Sequence, residues 1–245
     1  MKTVLGKIKG FFIGLWGRFS ALPKIARIIS ITAACCVLAG LIAFGAWYWF
    51  YPTTILGMDA SHYQGAISWK AIRQNSGVRF VYLKATEGKT YVDARFKQNW
   101  NGAAAAGLKV GAYHFFSTSS TGEDQAKNFI ATVPKESGGL PPAIDIEASV
   151  TQESDFKQQV ADYVKLVQAH YGQKPVFYVS ARMFDLLYDQ FSNYPVWIIN
   201  YKTKPNIKGW TLWQYSEKGV LPGVSGYVDL DRYHGSRFAF YFLSF

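Results

Sequence analysis

The sequence predicts an α/β chain: an irregular TIM-like barrel of the form (β/α)5(β)3, preceded by one N-terminal transmembrane helix. Three observations carry this. From Ile55 onward, short runs of β-branched and aromatic residues alternate with helical patterns, the rhythm of βα units on a parallel sheet. The strand-like runs number eight, enough to close a barrel. Ahead of them the charge-free apolar run Ile28–Phe50 is long enough to cross a hydrocarbon layer of about 30 Å.

The head of the chain reads as membrane-directed. Residues 1–58 contain Lys2, Lys7, Lys9, Arg18, Lys24 and Arg27 and no acid; of the formal +10, the head carries +6, leaving 20 basic against 16 acidic residues in the body. Cations massed before an apolar run place that end in the cytoplasm, and Trp47-Tyr48-Trp49-Phe50-Tyr51 forms the aromatic belt of the far interface. The body is then periplasmic or extracellular. The competing reading is a cleavable signal peptide ending near Ala43-Phe44-Gly45, but its apolar region should be about 7–15 residues long. An anchor that later leaves the bilayer stays open. Lys7 to Trp16 has the composition of an interfacial helix, weakened by Gly6, Gly10 and Gly14. Cys35 and Cys36, the only cysteines, lie inside the apolar run, so the exported part cannot hold a disulfide of its own. A mildly basic body gives no nucleic-acid stripe, while an anionic wall or lipid surface remains compatible.

The barrel elements follow in order: strand Ile55–Met58, helix Trp69–Gln74, strand Phe80–Ala85, helix Arg95–Ala106, strand Lys109–Phe116, helix Gly122–Thr132, strand Ala143–Glu147, helix Gln152–Tyr171, strand Val176–Ser180 and helix Met183–Gln190. After Pro195 the rhythm changes to three strands, Val196–Tyr201, Thr211–Tyr215 and Tyr227–Asp231, with no helix between them. The expected divisions are a basic cytoplasmic segment 1–27, an anchor 28–50, a linker 51–56, the barrel 57–236 and an apolar tail 237–245 that packs under the barrel or touches membrane.

In such barrels chemistry sits at the C-terminal ends of the strands, and that rule selects acids. Asp59, Glu87, Asp145, Glu147 and Asp229 all fall there. Asp145 and Glu147, two apart in a strand, leave the same face about 6.6 Å apart. Like charges so close push one pKa up, and an acid beside a carboxylate is glycosidase chemistry. Rim aromatics Tyr63, Tyr113, Phe115, Tyr178, Trp197, Tyr201, Trp213 and Tyr215 suit the C–H faces of sugars, with ordinary core packing as the competing role. His114 is placed near the substrate, with a structural, hydrogen-bonded role as its alternative. The histidines show no metal-ligand spacing, and Gly223-Val224-Ser225-Gly226 does not complete a nucleophile elbow. No metal or organic cofactor is implied.

The motifs Asp59-Ala-Ser-His-Tyr-Gln-Gly with Ile67 and Trp69, Lys84-Ala-Thr-Glu-Gly, Gly111-Ala-Tyr-His-Phe-Phe, Asp145-Ile-Glu147, Trp213-Gln214-Tyr215 and Val228-Asp229 resemble glycoside hydrolase family 25, in order from about Gly57 to His234. The resemblance implies a lysozyme, an N-acetylmuramidase cutting the β-1,4 bond after N-acetylmuramic acid, with peptidoglycan strands as its partner. It implies Glu147 as proton donor, Asp145, Asp59 and Asp229 lining the site, and Gln214 among the substrate-binding residues. Substrate assistance by the acetamide and direct attack by water both remain open. Two departures stand out: Ile199 occupies a place where the family often has a small residue, and Asp231 replaces a usual Asn. The alternatives are a chitinase-like barrel, whose fuller pattern would need aspartates where Ala143 and Leu140 stand, and a catalytically silent wall-binding module.

Overall fold

The computed structural model describes residues 2–135, 139–147, 150, 152–207 and 209–242. It divides into two units, Met1–Tyr51 and Pro52–Phe245. In the first, α1 (Lys2–Ser20) is continuous through its glycines, and α2 (Lys24–Phe50) begins after Pro23, whose extended backbone (φ −55°, ψ 147°) ends one helix and starts the next. The expected apolar run lies within α2, which starts four residues earlier than that run. Its mean hydropathy reaches 2.4, and none of its residues is buried among the described residues.

The second unit is a closed barrel. Strands β1 (Pro52–Ala60), β2 (Phe80–Glu87), β4 (Lys109–Phe115), β5 (Ala143–Ile146), β6 (Val176–Val179), β7 (Val196–Ile199), β8 (Trp210–Gly219) and β9 (Val228–Ser236) pair in the order β1-β2-β4-β5-β6-β7-β8-β9, and β9 returns to β1. Pairing is parallel from β1 to β8 and antiparallel where β9 meets both neighbours. Helices α3 (Trp69–Asn75), α4 (Phe96–Ala105), α5 (Gly122–Thr132), α6 (Glu153–Tyr171) and α7 (Ala181–Phe191) occupy the first five crossovers. A ninth strand, β3 (Tyr91–Val92), folds back on the end of β2; two residues are too short for a period-two pattern to reveal.

Residues 52–56, expected as linker, are the first half of β1. Antiparallel pairing from Pro52↔Ser236 to Asp59↔Asp229 holds them in the sheet, and that partner cannot be read from local composition. Likewise β8 and β9 run beyond the expected apolar stretches, because a hairpin carries the polar residues Ser216 to Lys218 and Arg232 to Ser236 as sheet.

Alternation along each strand separates two cores. Val81, Leu83, Val110 and Ile144 face outward against Ile72, Phe129, Tyr163 and Val167 of the helices. Phe80, Tyr82, Tyr178, Trp197, Leu212 and Tyr233 face inward and fill the lumen, with the Trp197 ring 4.9 Å from Tyr82 and 4.7 Å from Tyr178. Gly57 and Gly111 make room for this filling: a Cβ on Gly57 would lie 2.1 Å from the Phe80 ring, and one on Gly111 2.4 Å from Tyr82. The C-terminal segment is α8 (Arg237–Phe242), and it closes the lower end of the lumen. Phe240 is fully buried, 5.0 Å from the Tyr233 ring and 5.7 Å from Phe80, which stabilises the barrel by about 2 kcal/mol. Lys109 Nζ donates to its carbonyl. The rest of the expected tail, residues 243–245, lies outside the described residues.

Candidate active site at the mouth of the barrel

With the lower lumen packed by rings, the upper lumen is polar, because the same inward-facing rows end in acids. On β1 the row runs Ile55, Gly57, Asp59; on β2 it runs Phe80, Tyr82, Lys84; β5 contributes Asp145, and β9 contributes Asp229 and Asp231. A cavity of about 330 Å³ opens there, lined by Asp59, Ser61, Tyr63, Lys84, Tyr113, Phe115, Asp145, Glu147, Tyr178, Trp197, Tyr201, Gln214, Glu217 and Asp229.

Gln214 organises its floor. Its Oε1 accepts hydrogen bonds from Tyr178 Oη (2.8 Å) and Tyr201 Oη (2.7 Å), which fixes the amide so that Nε2 donates to Asp59 Oδ2 at 2.8 Å. Asp229, its partner across the β1–β9 pairing, and Asp231 also crowd Asp59. Carboxyls so crowded disfavour one another's charged forms. Burial, then the charges of Asp231 and Asp229, holds Asp59 well above the usual carboxylate range, with the Gln214 bond pulling the other way. Burial raises Asp229 to about 6, aided by Glu217. Asp231 is fully buried and pushed well up for the same first reason. Its Oδ1 accepts from Trp197 Nε1 at 2.8 Å, while Oδ2 meets no donor among the described residues.

Asp145 and Glu147 differ sharply in setting. Asp145 is buried, its Oδ1 without a hydrogen-bond partner among the described residues. Burial and then Glu147 raise its pKa well above normal, with Lys84 opposing. Glu147 lies one residue past the end of β5 and is exposed. Of this pair, Asp145 is the group whose pKa burial raises, and Glu147 is the one that meets solvent.

Several expected residues lie elsewhere. Glu87 pairs with Lys84 Nζ at 2.6 Å and lines a neighbouring cavity of about 490 Å³ with Tyr63 and Tyr91 instead of joining the central acids. His114 does not line the cavity. It points outward on β4 and is fully buried between sheet and helices, stacked 5.0 Å from Tyr163. Gln125 Oε1 also accepts from Ser117 N, so His114 Nε2 donates to it (3.0 Å), and Nδ1 accepts from Thr86 Oγ1 (2.7 Å). Burial lowers this ring to about 4, so it is neutral and structural. Trp213 and Tyr215 also face outward, alternating with Gln214. Trp213 Nε1 donates to Asn200 O at 2.7 Å, and the Arg232 guanidinium lies 5.5 Å from Trp213 and 4.3 Å from Tyr215. On that outer face these rings pack with Arg232. Tyr63, 81% exposed and stacked 4.1 Å from His62, is a platform on the rim; His62 is pinned by Asp93 Oδ2 at 2.7 Å.

Lys84, Ser61 and Glu217 line the cavity although the chain's pattern of acids and aromatics does not select them. Lys84 was findable: a charge two residues after Tyr82 on the lumen row of an otherwise apolar strand has to face a partner. It lies 4.8 Å from the Phe115 ring and is only 8% exposed. Glu217 had no such signal, because the length of β8 depends on its pairing.

Comparison with known proteins matches residues 58–224 to the model of the glycosyl hydrolases family 25. An uncharacterized Escherichia coli protein is 34% identical over 192 residues, 75% of this chain and 71% of that protein. Lysozyme M1 of Streptomyces globisporus is 31% identical over 202 residues, 74% of this chain and 68% of its own. The solved structure of a family 25 glycosyl hydrolase from Bacillus anthracis superposes with a TM-score of 0.71 at 36% identity, covering 76% of this chain and 91% of that one.

Proposed function

The chain belongs to glycosyl hydrolases family 25 and is a peptidoglycan hydrolase of the lysozyme type; from that premise we propose that Glu147 delivers the proton to the glycosidic oxygen. The observation that carries this is the division of labour among the acids. A general acid must regain its proton from solvent in every cycle, and Glu147 is, with Glu217, an exposed carboxyl at the cavity mouth, and the one that adjoins Asp145 and the larger groove beside it. The buried acids cannot exchange as freely. Asp145 and Asp59, kept protonated by burial, serve as hydrogen-bond donors to the substrate's amide and hydroxyl oxygens, as neutral carboxyls do elsewhere. Asp229, titrating at about 6, is the acid of the cluster best matched to accepting a proton from attacking water near neutral pH. Tyr63, Tyr113 and Phe115 offer ring faces to the sugars, while Tyr178, Tyr201 and Trp197 hold the floor rigid. Bond cleavage leaves the proton on the departing 4-oxygen and the water oxygen on the anomeric carbon of muramic acid.

The test is release of reducing, muramic-acid-ended fragments from purified peptidoglycan by the full chain and by Glu147→Gln. Loss of a general acid costs about 10²- to 10⁴-fold. A folded variant that keeps more than a tenth of the wild-type rate overturns the assignment.

We further propose that α2 anchors the enzyme in the membrane with residues 1–27 cytoplasmic and the barrel outside. Its 27-residue length, hydropathy and unburied surface support this, as do the cations before it. Protease shaving of intact spheroplasts should digest the barrel and spare an N-terminal tag; the reverse pattern refutes the orientation.

A further inference from the structure

Beside the catalytic cavity, over the ends of β5, β6 and β7, lies a groove of about 780 Å³ that shares Glu147 and Tyr201 with it. Its chemistry is unlike that of the sugar-facing cavity. The walls are aliphatic, from Val150, Met183, Leu186 and Ile199, and offer no row of ring faces to stack a sugar. Its polar groups are mostly engaged: Glu153 pairs with Lys157 at 2.6 Å, and Ser180 Oγ caps α7 by accepting from Met183 N. Glu147 and Arg182 are the exceptions, and Arg182 is the cation among the described lining residues. It is exposed at the groove, and no hydrogen bond or ion pair engages it among the described residues.

We infer that this groove binds the peptide stem of peptidoglycan, with Arg182 pairing to a stem carboxylate. The inference rests on the peptidoglycan-hydrolase reading for its substrate. Muramic acid carries its peptide on a lactyl ether, so a peptide groove has to open within about one sugar of the scissile bond, and this one begins at Glu147. The stem is rich in alanine methyls and free carboxylates, which match an aliphatic wall and one uncommitted guanidinium able to grip a carboxylate with two parallel hydrogen bonds. The volume lies within the roughly 300–1,000 Å³ typical of grooves that take ligands of a few hundred daltons.

The test measures binding, not cleavage, so it stands or falls separately from the role of Glu147. Calorimetric titration of the full chain in detergent micelles compares two uncleavable product-like ligands, N-acetylglucosaminyl-N-acetylmuramic acid with and without its tetrapeptide. The wild type should bind the peptide-bearing ligand about tenfold more tightly, as one charge-assisted contact provides. Arg182→Ala, a surface change that leaves the core untouched, should bring the two affinities together, and Arg182→Lys should recover part of the difference. Equal wild-type affinities, an unaltered preference in Arg182→Ala, or equal weakening of both ligands by that variant each overturn the assignment. A protein that discriminates the peptide yet cuts no wall would sustain this site and refute the hydrolase mechanism.

Discussion

Replacing Asp231 by Asn should stabilise the protein, and the gain should grow with pH. Asp231 is fully exposed to the rings and carboxyls of the lumen and not at all to water. Trp197 (β7) donates to it, Asp59 (β1), Asp229 (β9) and the Tyr82 hydroxyl (β2) face it, and Gln214 (β8) is its strand neighbour. Burial raises its pKa, so the native chain keeps the proton that the unfolded chain gives up above about pH 4. For a group raised in the folded state, stability is fully present below the unfolded pKa and falls as pH rises toward the folded one. The unfolded state binds fewer protons across that window, so unfolding becomes easier by about 1.4 kcal/mol per pH unit for one proton. Asn has the shape of the protonated acid: its Oδ1 still accepts from Trp197, and its amide donates toward Asp59. It does not titrate. Urea unfolding of both proteins from pH 5 to pH 7 should therefore show the stability difference widening in favour of Asp231→Asn by more than 1 kcal/mol. Parallel curves, with the difference constant to within about 0.5 kcal/mol, would mean that Asp231 is ionised in the native state.

Two further outcomes follow from contacts remote from the acids. Gly122→Ala places a Cβ 1.8 Å from the Gln159 carbonyl oxygen and 3.0 Å from Tyr163 N, both backbone of α6. Helices α5 and α6 must part, at a cost of about 3 kcal/mol, so the melting temperature should drop on the order of 5–10 °C; a change under 2 °C refutes the close packing. His114, lowered to about 4, binds no proton in the native state where the unfolded chain already does. Between pH 6.5 and 4 it should therefore remove about 3 kcal/mol of stability as pH falls. Its ring resonances should stay those of the Nε2–H tautomer down to pH 5, and titration near 6.5 would contradict its buried, twice hydrogen-bonded state.

Much of this architecture is legible locally. The five βα units announce themselves because each strand is an apolar run buried on both faces and each helix an amphipathic repeat. Gly122–Thr132 is recovered residue for residue. Misjudged ends cluster where a distant partner decides: Pro52–Thr54 is strand only because His234–Ser236 pairs with it. The tail, expected either under the barrel or at the membrane, is a plug because Phe80 and Tyr233 leave a hole for Phe240. In the site, Asp59, Asp145 and Asp229 are found by one rule, acids at strand ends, while His114 and Trp213 defeat the companion reading. They neighbour site residues in sequence, and an adjacent residue on a strand points to the opposite face.

The sequence alone determined the apolar run Ile28–Phe50 behind a wholly basic head, the order of the eight barrel strands and five crossover helices, and the placing of Asp59, Asp145, Glu147 and Asp229 at the barrel mouth, since each follows from period, composition or position along a strand. Only the tertiary structure decided which of those acids burial shifts upward. That depends on how much water the closed lumen excludes and on Asp229, Asp231 and Gln214, brought to Asp59 from strands more than 150 residues away along the chain.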